Sequence, residues 1–295
     1  MKIATVLLEE QEVASIMTDY GYLPVSAINQ RFNKNWPHDL FSILAEDKLD
    51  EIKGWLCENR DSLSRELKEL SILKETVQFA PLYRHPHKIW GIGLNYKAHA
   101  AGLSEKVPSS EPASFMKPDT TIIGHNDTIR IPRLSEKTTG EAELGLVFGK
   151  KCKDVKRDEW RSVLAGFTTI IDMTAEDILR RNPRNLTQSK SFDTFFSFGP
   201  ILYTTDEVED LFKLQVQTIL NGKVCAENTV ANMTFPLDLL VSYHSQIMTM
   251  LPGDIISTGT PGAAPLKDGD VIECRITGLQ PLVNHVIDLK RGEGA

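Results

Sequence analysis

Apolar and polar positions alternate most regularly in the stretch Gly140 to Phe148. Ala142, Leu144, Leu146 and Phe148 fall on one face of a predicted strand, and Glu141, Glu143, Gly145 and Val147 on the other. The first face suits a core. The second opens with two carboxylates about 7 Å apart by the usual strand rise. Further on, the apolar run Phe167 to Ile171 reads as another strand, capped by Asp172. If Asp172 lies beside the glutamates, three carboxylates meet, an arrangement tolerable only around a cation. Taken alone, the segment is described better as the wet face of a half-buried strand, because exposed glutamate is the default.

The same patterning divides the rest of the chain. Residues 1–80 read as a small α+β unit. The runs Ile3 to Leu8, Val13 to Met17 and Leu23 to Ile28 predict strands, and Asp39 to Leu73 carries apolar residues at helical spacing. That unit suggests packing or dimerisation rather than chemistry. After a linker at Pro81 to His87, residues 81–295 are strand-rich. Thr121 to Ile123 and Thr128 to Ile131 flank a turn, and Asn221-Gly222 between Gln215 to Leu220 and Lys223 to Cys225 is a strong hairpin signal. A helix is expected over Pro236 to Met250, with strands at Asp254 to Thr258, Asp270 to Thr277 and Val283 to Leu289. Residues Lys97 to Glu111 are polar and read as a loop or lid. The expected class is mixed α/β but β-rich, a sandwich or roll, not a doubly wound sheet.

Composition narrows the function classes. Charged residues make up 25% of the chain and the net charge is −7, so no basic field exists for nucleic acid or an anionic membrane surface. No apolar run reaches the ~18 residues of a membrane span. The N-terminus turns acidic too early for a signal peptide. Cys57, Cys152, Cys225 and Cys274 are scattered without a C-x-x-C pair, which favours reduced thiols and a cytoplasmic location. Gly91-x-Gly93-x-x-Tyr96 lacks the third glycine of a dinucleotide fingerprint.

Several short motifs, taken together and in order, resemble the fumarylacetoacetate hydrolase family. They are Gly91-Ile-Gly-Leu-Asn95-Tyr96-x-x-His99, Phe115-x-Lys117-Pro118, Glu141-Ala-Glu143-Leu, Asp172-Met-Thr-Ala, Lys190-Ser-Phe-Asp193, Leu251-Pro-Gly-Asp254 and Thr258-Gly-Thr260-Pro261. The resemblance implies a sandwich-roll catalytic domain, a homodimer and a small-molecule 2-oxo acid substrate. It implies one Mg²⁺ or Mn²⁺ on Glu141, Glu143 and Asp172, which fits hard oxygen donors that leave exchangeable positions. The metal would stabilise an enolate. Lys190 would sit near the developing charge, the alternative being a surface salt bridge to Asp193. Backbone N–H groups at Gly259 and Thr260 would hold the substrate carboxylate. Tyr96 and Lys117 would line the same pocket.

Three positions depart from the family pattern. The glutamate three residues after His99, which would help it activate water, is Gly102 here, and Glu105 is the nearest substitute. Glu176 and Leu179 stand where an arginine and a glutamine would face substrate; Glu176 would then meet a neutral or cationic group, and Arg180, Arg181 or Arg184 would reach in from elsewhere. Hydrolytic C–C cleavage of an acylpyruvate-like acid is therefore weighed against two other readings. One is a lyase or isomerase (oxaloacetate decarboxylase, 2-oxo-enoate hydratase or hydroxymuconate-type isomerase) that needs no activated water. The other is a non-catalytic binding protein on the same scaffold.

Overall fold

The computed structural model describes residues 1–97 and 110–291. Strands β1 (Lys2–Leu8), β2 (Gln11–Thr18) and β3 (Gly21–Pro24) form an antiparallel meander in which Ile3 faces Ile16 and Ile16 faces Leu23. The expected strand across Leu23 to Ile28 turns helical after Pro24. Proline suits the extended residue before a helix, and Val25 and Ile28, three apart, bury one face of α1 (Val25–Phe32). The helical pattern that follows is divided among α2 (Leu40–Ala45), α3 (Leu49–Asn59) and α4 (Ser64–Leu70). Asp39 starts α2 by accepting a hydrogen bond from the Ser42 amide at 2.8 Å.

The remaining strands are β4 (Ile89–Gly93), β5 (Ala113–Lys117), β6 (Ile122–Ile123), β7 (Thr128–Ile131), β8 (Thr138–Phe148) and β9 (Leu164–Ala175). Helices α5 (Glu176–Arg181) and α6 (Leu186–Lys190) then lead to β10 (Phe196–Phe198), β11 (Ile201–Thr204), β12 (Gln215–Leu220) and β13 (Lys223–Thr229). After α7 (Leu237–Ile247) come β14 (Ile255–Ser257), β15 (Ala263–Pro265), β16 (Val271–Ile276) and β17 (Leu282–Asp288). The hairpin signal at Asn221-Gly222 is realised between β12 and β13, with both turn residues at positive φ, 51° and 77°.

Among the described residues these strands make two sheets. The larger runs β3-β2-β1-β11-β9-β8-β14-β4-β5, with β6, β10 and β15 attached beside it; the smaller runs β13-β12-β16-β17-β7. The first three strands are thus hydrogen-bonded into the large sheet, through Lys2 to Ala4 on β11. The even face of β8 (Ala142, Leu144, Leu146, Phe148) packs with Val216, Ile272 and Ile276 of the smaller sheet, as the alternation predicts. Its odd face is not wet. Val147 joins Ile170, Phe196 and Ile255 in a second core with Ile16, Leu23, Ile28, Leu40 and Ile43 of the N-terminal layer. The carboxylates on that face are therefore set into an interior.

Candidate metal centre

β8 and β9 pair antiparallel along their length, and the register places Glu141 directly opposite Asp172. Asp172 lies within β9 rather than capping it, because the strand continues to Ala175. Like charges directly opposite on a sheet destabilise it unless something neutralises them. Here the ligand oxygens of Glu141, Glu143 and Asp172 all lie within 4.8 Å of one another. Glu143 and Asp172 are 2% and 1% exposed, so water does not do the screening.

Two lysines do part of it. Lys117, at the end of β5, donates to Asp172 Oδ1 at 2.6 Å and to the Met173 carbonyl at 3.3 Å. Lys190, at the end of α6, donates to Asp172 Oδ2 at 2.5 Å and to Glu141 Oε2 at 3.0 Å. Lys190 thus turns inward to the carboxylates, not outward to Asp193. Both ammonium groups lie over the Phe115 ring, Lys190 at 4.6 Å and Lys117 at 6.0 Å from its centroid. That ring lies flat against Gly91 of β4, where a Cβ would fall 2.2 Å from a ring carbon. The alternation of Phe115-x-Lys117 puts ring and ammonium on one face of β5.

Glu143 is held from the other side. The Ser257 hydroxyl and the Gly259 amide both donate to its Oε2, the latter at 2.8 Å. The Gly259 amide, expected to hold a substrate carboxylate, is thereby committed to a protein carboxylate. Thr260 uses its hydroxyl on the Gly262 carbonyl at 3.0 Å, closing the following turn. Thr174 donates to Glu141 Oε2 at 3.3 Å. Tyr96 is fully buried, and its hydroxyl is left without a hydrogen-bond partner among the described residues.

The titration of these groups follows from burial and neighbours. Burial first, then the Asp172 and Glu141 charges, push the Glu143 carboxyl well above the usual range. Burial works the same way on Asp172, but Lys117 and Lys190 outweigh it and hold that carboxyl down. Lys117 is pushed down to about 8 by burial, against the pull of Asp172. Burial opposes the charge on Lys190 too, but Asp172 and Glu141 overcome it and raise the value. The Tyr96 phenol is raised by burial and by the nearby Glu143 charge.

Three carboxyl groups share two ammonium groups in a largely buried pocket, with an orphaned hydroxyl nearby, and the raised Glu143 carboxyl marks the charge left without a cation of its own. Hard oxygen donors in this number and spacing fit Mg²⁺ or Mn²⁺, and do not distinguish between them.

Glu176 lies elsewhere. Its carboxylate is paired with Lys137 at 2.8 Å and Arg180 at 2.5 Å, so it is not free to meet a cationic substrate group. Burial raises its pKa and those two cations more than offset it. Arg180 is spent on Glu176, and Arg181 lies 3.9 Å from Asp177. His99, Gly102 and Glu105 lie outside the described residues. Ser257 and Thr174 were not singled out by the sequence; the signal available was their place on the same strand faces as the motif residues.

The family model "Fumarylacetoacetate (FAA) hydrolase C-terminal" matches residues 88–287, which take in the strands of both sheets from β4 onward and every residue of the triad. The chain belongs to the fumarylacetoacetate hydrolase family. Among family relatives, the mitochondrial oxaloacetate tautomerase Fahd2a of Rattus norvegicus is 34% identical over 224 residues, 73% of this chain and 71% of that protein. The 5-carboxymethyl-2-hydroxymuconate delta-isomerase of Mycobacterium smegmatis superposes with a TM-score of 0.75 at 25% identity, covering 98% of this chain and 99% of the other. A maleylpyruvate hydrolase of Sphingobium sp. SYK-6, solved with manganese(II) and pyruvate, shares the fold with a TM-score of 0.77 at 24% identity, over 98% and 99% of the two chains. The chain is thus similar in sequence to an oxaloacetate tautomerase and in fold to an isomerase and a hydrolase. No helix among the described residues is long and apolar enough to cross a membrane, and the four cysteines are free thiols.

Proposed function

We propose that this protein is a divalent-metal-dependent enzyme that interconverts the keto and enol forms of a small 2-oxo dicarboxylic acid of the oxaloacetate kind. The observation that carries the reading is the buried triad with two ammonium groups hydrogen-bonded to it, Lys117 and Lys190 each on a separate oxygen of Asp172. Tautomerisation moves one proton between carbon 3 and the 2-oxo oxygen and needs no attacking water. Glu141, Glu143 and Asp172 would hold Mg²⁺ or Mn²⁺, which when bound supplies Lewis-acid stabilisation of charge on the 2-oxo oxygen. Lys190 Nζ, held as a fixed cation between Glu141 and Asp172, would stabilise the negative charge that develops as the enolate forms. Lys117 keeps Asp172 ionised and in position. Ser257 and Gly259 fix Glu143, and the Phe115 ring excludes water beneath the lysines. The sequence likeness to the oxaloacetate tautomerase supports this choice of substrate class.

Hydrolysis of an acylpyruvate is the second reading. His99 at the family's water-activating position favours it, with Glu105 as partner; Gly102 in place of the usual glutamate weighs against it. A division into a supporting unit, 1–80, and a catalytic unit, 81–295, belongs to the proposal and is supported by the family match beginning at residue 88. So do a homodimer and a cytoplasmic location, the latter supported by the free thiols.

The test is a panel. Protein with Mg²⁺ or Mn²⁺ is assayed on oxaloacetate, following enol absorbance and decarboxylation separately, and on acetylpyruvate, fumarylpyruvate and a hydroxymuconate, with Glu141→Ala as blank. Enol–keto conversion of oxaloacetate, lost in the blank, is expected. Faster C–C cleavage of an acylpyruvate would move the assignment to hydrolysis, and conversion that survives in the blank would remove the metal from the account.

A further inference from the structure

The Gly259 amide reaches Glu143 from a turn whose preceding peptide is held by one buried side chain anchored to two other segments. Asn95 follows the last residues of β4 and is fully buried. Its Nδ2 donates to the Thr258 carbonyl at 2.8 Å and to the Phe235 carbonyl at 3.2 Å. Its Oδ1 accepts from the Phe235 amide at 2.8 Å, and its backbone carbonyl accepts from the Thr234 amide at 2.8 Å. The carboxamide therefore ties the end of β4 to the entry of α7 and to the peptide just ahead of Gly259. On the other side of that peptide, Thr258 gives its amide and its hydroxyl to the Leu144 carbonyl, one residue from Glu143.

Contact between Asn95 and Gly259 is close as well. Gly259 has φ +97°, and a Cβ there would fall 2.7 Å from the Asn95 Cβ and 3.1 Å from the Ile92 carbonyl oxygen. Glycine supplies both the rare backbone angle and the clearance. The chemistry demanded of residue 95 is specific: two donors for two carbonyls, and one acceptor for one amide. Only a carboxamide on a short stem gives that set; aspartate would turn a carboxylate oxygen toward the Thr258 carbonyl.

We propose that Asn95 is a positioning residue for the metal centre: it sets the Thr258–Gly259 peptide so that the Gly259 amide orients Glu143 toward its two fellow carboxylates. This rests on the reading of Glu141, Glu143 and Asp172 as ligands. Groups that orient metal ligands typically contribute a factor of about 10–100 in metal affinity, and that factor is the readout.

The experiment titrates Mn²⁺ alone into the full chain by calorimetry, for wild type, Asn95→Asp, Gly259→Ala and Glu143→Gln, and records the melting temperature of each without metal. Loss of Mn²⁺ affinity by about 10–100-fold in folded Asn95→Asp, alongside a loss in Glu143→Gln, is the expected result. A merely structural Asn95 would lower the melting temperature and leave the affinity of the folded protein unchanged, which overturns the proposal. Should Asn95→Asp fail to fold, Gly259→Ala carries the test. It keeps the asparagine but forces the turn away from it, and unchanged affinity there overturns the proposal equally. Undiminished binding in Glu143→Gln would overturn the ligand reading itself, and this one with it.

Discussion

Glu141 lies on the β8–β9 pair and Glu176 where β9 continues into α5, and both are paired with basic residues. At the Glu141 end the cations are Lys190 and Lys117, themselves buried, shared with Asp172 and carried on separate elements, α6 and β5. At the Glu176 end they are Lys137 and Arg180, 46% and 63% exposed and near neighbours of the acid. The same residue types therefore do different things. Around Asp172 the pairing leaves one of three largely buried carboxyl groups without a cation, where charge–charge terms are large. Around Glu176 solvent screens a local contact worth little. What makes an acidic cluster a site is the mismatch between acids and bases inside a largely buried enclosure.

The largest effect should come from Asp172→Asn, which strips the shared acceptor from both lysines and one donor from the triad. Denaturant melts should show a loss of about 3 kcal/mol, the order seen when one partner of a buried pair is removed, and calorimetric Mn²⁺ binding should be abolished. A variant that keeps stability and binding would erase the contrast between the two ends.

A buried group with no counter-charge among the described residues sharpens it. His244 of α7 is fully buried beside Trp90, ring centroids 4.8 Å apart, with Nδ1 on the Leu240 carbonyl. Burial lowers its pKa from 6.5. The unfolded chain therefore binds the proton first, and the stability due to neutral His244 is full above pH 6.5 and lost as pH falls toward the lower folded value. Melting temperatures measured across that window should fall more steeply for wild type than for His244→Gln; parallel curves would show that burial alone does not shift this ring.

The smallest effect belongs to Glu176→Gln. Stability should change by less than about 1 kcal/mol, and turnover should stay within a small factor of wild type. A large loss of turnover would put Glu176 back in contact with substrate.

How much of this was legible beforehand depends on the range over which each residue is determined. The even face of β8 was readable from alternation because a strand's side chains obey a period of two whatever surrounds them. The Asn221-Gly222 turn was readable because its backbone angles are a local demand. The odd face misled, since the same alternation describes a wet strand, and the segments that close over it, N-terminal strands and helices among them, are far away in sequence. Leu23 to Ile28 failed for a related reason: apolar residues at that spacing serve a strand or a helix, and Pro24 decides. The triad residues were identifiable through motif resemblance. That the Gly259 amide is spent on Glu143, and Glu176 on Lys137, depends on contacts made across the fold.

The Phe115 ring lying on Gly91 has a consequence for how this site can drift. A hydrogen atom is all that residue 91 can present, and the thickness it leaves free is occupied by an aromatic plate on which two ammonium groups rest. Any added methyl would raise the plate and, like a shim under a bearing, tilt everything mounted above it. The tolerance of the chemistry is thus set partly by a position with no side chain, one that a search confined to acids, bases and nucleophiles passes over.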